Sequence, residues 1–500
     1  MAADLGIGLP IEHTIRTCLL ALELGRRGGM SEPERSDLYY LTLLRMLGCT
    51  AGSRESAEHF TDEIAFGRDT QHLDYGDPEG FGRWVMESYG ADRPPEQREQ
   101  MVGMLFAYTP ELRREYLAGH CEVAQMLATR LGLPGSVTDG LAFVFERWDG
   151  RGAPNGIPGE QQPLAARVMN LCNELEVHHR LGGVDAAIVV ARARASGAFD
   201  PSLVGIFCSD AAGILGVLDQ GSAWTALLEA EPAGYRRLDA QGCVEAGRVI
   251  ADFADLKSTF MAHHSARVAG LVMAAAGRRK VDRADLSTLH LAALTLDLGR
   301  VTVSNAVWDK PGPLNESEWE KVRLHPYYSE RMLSRAPSLA DAAAVAGMHH
   351  ERLDGSGYHR ASSGATQSAA GRLLAAADAY QAMCEPRAYR PAHDPEQVGN
   401  ELRRQAQAGI LDVASVNAVL AEAGDASPPV RRSWPAGLSD REVDVLRRVA
   451  LGSSIQAAAA ELHIAPKTVD FHLQNIYTKA GVTTRAAAAL FAIQNGLLEN

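Results

Sequence analysis

The sequence predicts an all-α protein built from two related helical domains and a small C-terminal domain of four helices. Three observations carry that prediction. Alanine, leucine and arginine dominate and β-branched runs are scarce, which favours helix over strand. A set of polar residues recurs at matched intervals in two parts of the chain. Residues 438–500 show helix start and stop signals in quick succession. A hydrophobic fraction of 46% supports packed cores rather than disorder. The net charge of −13 excludes indiscriminate coating of nucleic acid or anionic membrane, so any DNA contact is local.

The repeat is explicit. Glu146-Arg147-Trp148-Asp149-Gly150-Arg151-Gly152 returns as Glu351-Arg352-Leu353-Asp354-Gly355-Ser356-Gly357. His13 precedes Gly48 by the interval that separates His264 from Gly299, 35 residues. His120 stands 26 residues before Glu146, as His325 does before Glu351. Glu146 stands 27 residues before Asn173, as Glu351 does before Asp378. These intervals predict a duplicated domain, with copies at 1–218 and 248–424. They also act as an internal alignment, because each copy reveals what the other has lost.

The first copy carries an insertion at about 50–119, a charged stretch with little periodicity. It reads as a surface excursion, with a lid or a dimer contact as the alternatives. Residues 219–247 connect the copies and include Glu231-Pro232-Ala233-Gly234. After the second copy, 425–437 contains Pro428, Pro429 and Pro435, which cannot propagate a helix and mark a linker.

In the last segment, Ser439-Asp440-Arg441-Glu442 is a capping box that opens a helix. Val443, Leu446 and Val449 keep helical spacing up to Gly452. A short alanine-rich helix reaches Leu462, Pro466 opens the next, and Gly481 closes it. On that third helix Val469, Leu473 and Ile476 predict a buried stripe, and Asp470, Phe471 and Gln474 share the outward face. A last helix spans about Thr484 to Asn495.

This segment resembles the LuxR-type helix-turn-helix domain. The matching residues are Leu438-Ser439-x-Arg441-Glu442-x-x-x-Leu446, Gly452, and Lys467-Thr468-Val469-x-x-His472-x-x-x-Ile476-x-x-Lys479-x-Gly481-Val482. The resemblance implies a recognition helix in the major groove of double-stranded DNA. Lys467, Thr468 and Lys479 would contact phosphates; Asp470, Phe471 and Gln474, with Asn475 beside them, would face the bases. Ala465 stands where a capping Ser or Thr is usual. From Ser433 onward six Lys/Arg balance six Asp/Glu, so tight binding calls for a homodimer or higher oligomer.

The second copy holds six residues of metal-ligand type: His264, Asp297, His325, His349, His350 and Asp378. Mixed imidazoles and carboxylates suit Fe, Mn or Zn. The stretches His264-Ser265-Ala266-Arg267, Lys310-Pro311-Gly312, Leu324-His325-Pro326, His349-His350 through Gly357-Tyr358, Ala377-Asp378-Ala379-Tyr380 and Arg387-x-x-Arg390 resemble the HD-GYP branch of the HD phosphohydrolases. The resemblance implies hydrolysis of cyclic di-GMP or related nucleotides, with Arg300, Lys310, Gly357, Tyr358, Arg387 and Arg390 near ligand or phosphate. The copy departs at the defining dyad. Leu296 stands at the histidine position before Asp297, and Arg300 replaces a lysine. One divalent metal is therefore expected, two-metal hydrolysis is not, and Asp297 is the candidate if catalysis survives.

Mapped through the repeat, the first copy has Arg45 and Met46 at the dyad, Val144 and Phe145 at the histidine pair, and Asn173 at the last aspartate. Only His13 and His120 remain. No metal is expected there; the old site becomes either core or a pocket for an apolar or aromatic ligand. Ala153 replaces the Tyr of the loop motif, yet Pro154 through Arg167 follows the family pattern that the second copy has lost.

Two functions follow. One is a DNA-binding transcription regulator whose degenerate module senses a small effector, a nucleotide or an apolar ligand, or a metal. The other is an active metal-dependent phosphohydrolase with a DNA-binding tail. Seven dispersed cysteines fit free thiols in a reducing cytosol, and with no apolar run of ~20 residues a cytoplasmic, membrane-free protein is expected.

Overall fold

The chain builds helices joined by short turns. A computed structural model describes residues 1–219, 221–232, 237–279, 281–427, 429, 434–495 and 497. Ala233 and Gly234 of the connector, and 428 and 430–433 of the linker, lie outside the described residues. Among the described residues there is no strand, only isolated bridges, in keeping with the all-α expectation. No single described helix is long and apolar enough to cross a membrane. The fold divides into two units: 1–270 with 283–347 and 385–392, and 271–282 with 348–384 and 393–500.

In the first unit, His13–Arg27 lies against Glu32–Leu44 and Leu164–Ala193. Leu20, Leu24, Leu38, Leu41, Met169, Leu171 and Phe207 are fully or almost fully buried among them. Each such side chain stabilises by roughly 1.5–3 kcal/mol relative to exposure. Glu32–Leu44 opens with a capping box in which Ser31 and Glu34 answer each other's backbone N–H. Leu164–Ala193 is broken at Gly182-Gly183, where Gly183 takes a φ of +71°.

The insertion, expected from sequence as a surface excursion, forms four helices, Ser53–Phe60, Glu63–Thr70, Pro78–Glu87 and Pro95–Ala107. Asp62 and Asp77 cap two of them by accepting the N–H of Ala65 and Gly80. Val85, Tyr89 and Leu105 are buried with Phe60, Phe66, Phe81 and Trp84 packed around them. Phe60 and Phe66 stack with centroids 4.1 Å apart. Aromatic area, rather than aliphatic periodicity, holds this segment together.

The duplication is visible in hydrogen bonds. Asp4 takes the backbone N–H and the hydroxyl of Thr14, and Asp255 takes those of Ser265. Glu146 caps the amides of Asn155, Gly156 and Ile157; Glu351 caps those of Arg360 and Ser362. Gln162 donates to the Arg147 and Ile157 carbonyls, and Gln367 to those of Arg352 and Ser362. A Cβ on Gly48 would lie 2.0 Å from the His120 carbonyl oxygen, and one on Gly299 2.0 Å from that of His325. Both copies need glycine where two backbones meet.

In the second unit, Ala369–Cys384, Pro395–Gln407 and Val413–Glu422 pack on one another through Leu373, Leu402, Val416 and Val419. The C-terminal helices are Asp440–Ala450, Ile455–Glu461, Pro466–Ala480 and Arg485–Gln494. The Ser439/Glu442 capping box forms, Pro466 sits in the first turn, and Gly481 closes its helix at a φ of +66°. Val443, Leu446, Val449, Val469, Leu473 and Ile476 make the core.

Candidate functional site

Within the first unit, three of the predicted ligands meet. His264 begins the helix His264–Arg279 and His325 begins His325–Leu333. Asp297 immediately precedes the turn Leu298–Thr302. All three are at most 1% exposed. His264 Nδ1 lies 2.8 Å from Glu385 Oε2, and His325 Nδ1 lies 2.7 Å from the Val322 carbonyl oxygen. Both partners accept, so each ring carries its proton on Nδ1 and turns the Nε2 lone pair inward. The Nε2 atoms stand 3.6 and 3.4 Å from the two oxygens of Asp297. Two imidazoles oriented from behind around a buried carboxylate match the donor set of a transition metal.

Leu296 is fully buried beside this group, where it offers no donor atom. Its carbonyl accepts the Ser329 hydroxyl, whose oxygen accepts the Gly299 N–H, so the turn is fixed by backbone. Arg300 places Nε 2.9 Å from Asp297 Oδ1 and lies over the Trp308 ring at 4.4 Å. A guanidinium already neutralises part of the carboxylate charge that a metal would use.

The other predicted contact residues fall in different places. Arg387 reaches the Phe260 carbonyl and Glu385, and Arg390 donates to the Glu385 carbonyl, so both brace the carboxylate behind His264. Lys310 pairs with Glu318 at 2.7 Å. In the second unit, the His349 and His350 rings lie 4.2 Å apart, His350 Nδ1 is 3.6 Å from Asp378 Oδ2, and Tyr358 packs on His350 at 4.7 Å. The Gly357-Tyr358 turn is tied back by the Tyr358 N–H, which donates to the His350 carbonyl.

Glu385 was not singled out by sequence. The signal was present: in both copies an arginine follows the first histidine by three residues, and each pairs with the same carboxylate as that histidine. Arg267 and His264 meet on Glu385; Arg16 and His13 meet on Glu176. A second omission is Glu63. This insertion residue accepts Lys257 Nζ at 2.8 Å, the Ser304 hydroxyl at 2.6 Å and the Asn305 N–H at 2.9 Å.

In the first repeat the surviving histidines serve other ends. His13 spans Glu176 and Asn173. His120 Nε2 donates to the Arg45 carbonyl at 2.9 Å, and burial lowers its pKa to about 4. Arg45 Nη1 bonds Asn173 at 2.6 Å, and burial brings its own value down to about 10. Met46, Val144 and Phe145 line a cavity of about 300 Å³, while Val144 also belongs to the buried core and Phe145 packs against it. They present no side-chain nitrogen or oxygen to a metal.

On the C-terminal domain, Lys467, Thr468, Asp470, Phe471, Gln474 and Lys479 are exposed, and Asn475 is half-buried. Phe471 is 62% exposed. Lys479 pairs with Glu442 of the capping box at 2.7 Å, which occupies one of the cations assigned to phosphate. The helix start at Ala465 lacks a side-chain cap.

Comparison with known proteins bears on both parts. Residues 248–414 match the family described as HD domain, and 436–492 match bacterial regulatory proteins of the luxR family. The chain is 30% identical over 396 residues to 3'3'-cGAMP-specific phosphodiesterase 3 of Vibrio cholerae, covering 78% of this chain and 86% of that one. It is 44% identical over 95 residues to the probable transcriptional regulatory protein NarL of Mycobacterium tuberculosis, 18% of this chain and 44% of that protein. A crystal structure of a cyclic GMP-AMP-specific phosphodiesterase from Vibrio cholerae shares the fold, with a TM-score of 0.56 at 24% identity, over 85% of this chain and 96% of the other.

Proposed function

This chain belongs to the HD-domain family and carries a luxR-family DNA-binding domain, and from that premise we propose a transcription regulator whose HD-type module senses a small ligand or a metal and controls the C-terminal helices. The observation that carries the reading is Leu296, fully buried at the dyad position beside Asp297. An aliphatic side chain there removes a donor from one of the two metal positions the family pattern implies. Arg300 on Asp297 competes for a further oxygen.

One divalent metal, Fe, Mn or Zn, still suits the remaining donors. His264, Asp297 and His325 of the first unit would hold it. Such an ion would supply Lewis acidity toward a bound phosphate. The protein acts in the cytoplasm, as a dimer on double-stranded DNA, with Lys467, Thr468 and Lys479 on phosphates and Asp470, Phe471, Gln474 and Asn475 toward the bases.

The second reading, a metal-dependent phosphodiesterase acting on a cyclic dinucleotide, is favoured by the activity in the name of the Vibrio relative. Metal content and turnover of 3'3'-cGAMP separate the two. The regulator reading expects about one metal per chain, a rise on Leu296→His, and no turnover above the Asp297→Ala background. Turnover that disappears with Asp297→Ala assigns the chain to the phosphodiesterases instead.

A further inference from the structure

The first repeat contains two adjoining cavities, of about 300 and 430 Å³, that share Ile7, Gly67, Tyr75, Arg113 and Phe145 in their walls. Cavities of this size accommodate small organic ligands. The larger one is aromatic: Phe60, Phe66, Phe81, Tyr108 and Tyr116 line it together with Tyr75 and Phe145. All but Phe145 belong to the insertion, which thus encloses a chamber over the abandoned metal site. A chamber walled by aromatic rings favours a planar aromatic guest.

The smaller chamber is charged, and its charges are unequal. Arg147 pairs with Asp74 and Asp149, and Arg194 with Glu174. Glu146 is consumed by the backbone amides it caps. Two cations make no ion pair among the described residues, and Asp4 and Glu174 act on Arg45 only from beyond ion-pair distance. Arg45 is 6% exposed, bonds only Asn173 with its side chain, and has a buried Nε with no hydrogen-bond partner. Arg113 makes no ion pair or side-chain hydrogen bond and lies over Tyr75 at 5.3 Å, at the junction of the chambers. A buried guanidinium with an unmet donor is stabilised by an anion that completes its bonds.

We propose that the first repeat binds a small planar aromatic acid, its ring in the aromatic chamber and its acid group at the junction against Arg113 and Arg45. This deepens the sensor reading above and rests on it for its biological meaning, by giving the effector a chemical class and a place. The recruited residues are those that replaced the metal ligands: Arg45 at the dyad, Phe145 at the histidine pair.

The full chain, titrated with anilinonaphthalene sulfonate and separately with its uncharged counterpart phenylnaphthylamine, tests the site by fluorescence and calorimetry. One sulfonate binds per chain. Arg113→Gln, at a half-buried position whose recorded side-chain contact is the face of Tyr75, weakens the sulfonate by about tenfold or more and leaves the neutral probe within about twofold. Leu105→Trp, which fills the aromatic chamber, removes both probes, while circular dichroism of each variant reports a folded chain. Absence of stoichiometric binding to the wild type overturns the proposal. So does equal sulfonate affinity in the wild type and Arg113→Gln, or retention of both probes by folded Leu105→Trp. Because the readout is binding, failure here leaves the regulator reading to stand or fall on its own metal, turnover and DNA experiments.

Discussion

His120→Gln tests the buried histidine that the first repeat shares with His325 of the second. The imidazole is 1% exposed, donates from Nε2 to the Arg45 carbonyl, and packs edge-on to Phe145 at 4.8 Å. Its Nδ1 has no hydrogen-bond partner, so protonation would put a second cation beside the Arg45 guanidinium in apolar surroundings. Burial therefore holds the ring neutral, with its pKa lowered from 6.5 to about 4. The direction follows from proton uptake. Below pH 6.5 the unfolded chain binds the proton and the native one resists it. The stability that His120 contributes is complete above pH 6.5 and is lost as the pH falls toward about 4. At ~1.36 kcal/mol per decade that interval amounts to about 3 kcal/mol. Glutamine keeps a donor for the carbonyl but does not titrate. Native-state hydrogen exchange of the helix Pro110–Arg130 measures the local opening free energy, avoiding a global denaturation that several domains would blur. Between about pH 7.5 and about pH 4.5 the wild type should lose about 2–3 kcal/mol more than His120→Gln. Parallel losses would refute the argument, because the ring would then already be solvated or paired.

Other expectations concern the shared frame and the helix Pro466–Ala480. Gly299→Ala drives a Cβ into the His325 carbonyl and should cost on the order of 3 kcal/mol or more, as should Gly48→Ala against His120. Unchanged melting temperatures in both variants would show that the turns yield. Lys467→Ala should weaken binding to all DNA sequences and lower the salt slope by about 1, whereas Gln474→Ala should relax base preference. If neither alters binding, the helix Pro466–Ala480 does not enter the groove. Phe471→Ala should leave thermal stability within about 0.5 kcal/mol, since the ring is largely exposed, yet reduce DNA affinity.

What the sequence made legible depended on the kind of information each feature uses. Caps and stripes are local, so Ser439, Glu442, Val469 and Gly481 could be placed from their neighbours alone. The duplicated intervals carried long-range information because copying preserved spacing, and they matched His264 to His13 and His325 to His120, whereas Asp297 was expected only from the resemblance to the HD-GYP pattern. Partners that lie far away and vary in offset stayed hidden. Glu385 sits 121 residues from His264, whereas Glu176 sits 163 from His13, so the repeat gives no constant interval to find them by. The insertion stayed hidden for another reason. Its core is a handful of aromatics in short helices, which leave little trace in a hydrophobic period.

The contact of Glu63 with Lys257 makes the insertion indispensable to a domain it does not belong to by sequence. Lys257 is 2% exposed, and its ammonium is matched by a carboxylate that also takes the Ser304 hydroxyl and the Asn305 amide. Trimming 50–119 to mimic the shorter second copy would strand a buried cation, a loss of about 3–5 kcal/mol. The same carboxylate begins the helix that lends Phe66 to the aromatic chamber, eight residues in chain order from Asp297 at its Asn305 end. If the aromatic chamber takes the guest proposed above, a tilt of this helix would pull on the stretch that carries Asp297, a proposed metal ligand, with Glu63 as the point of attachment.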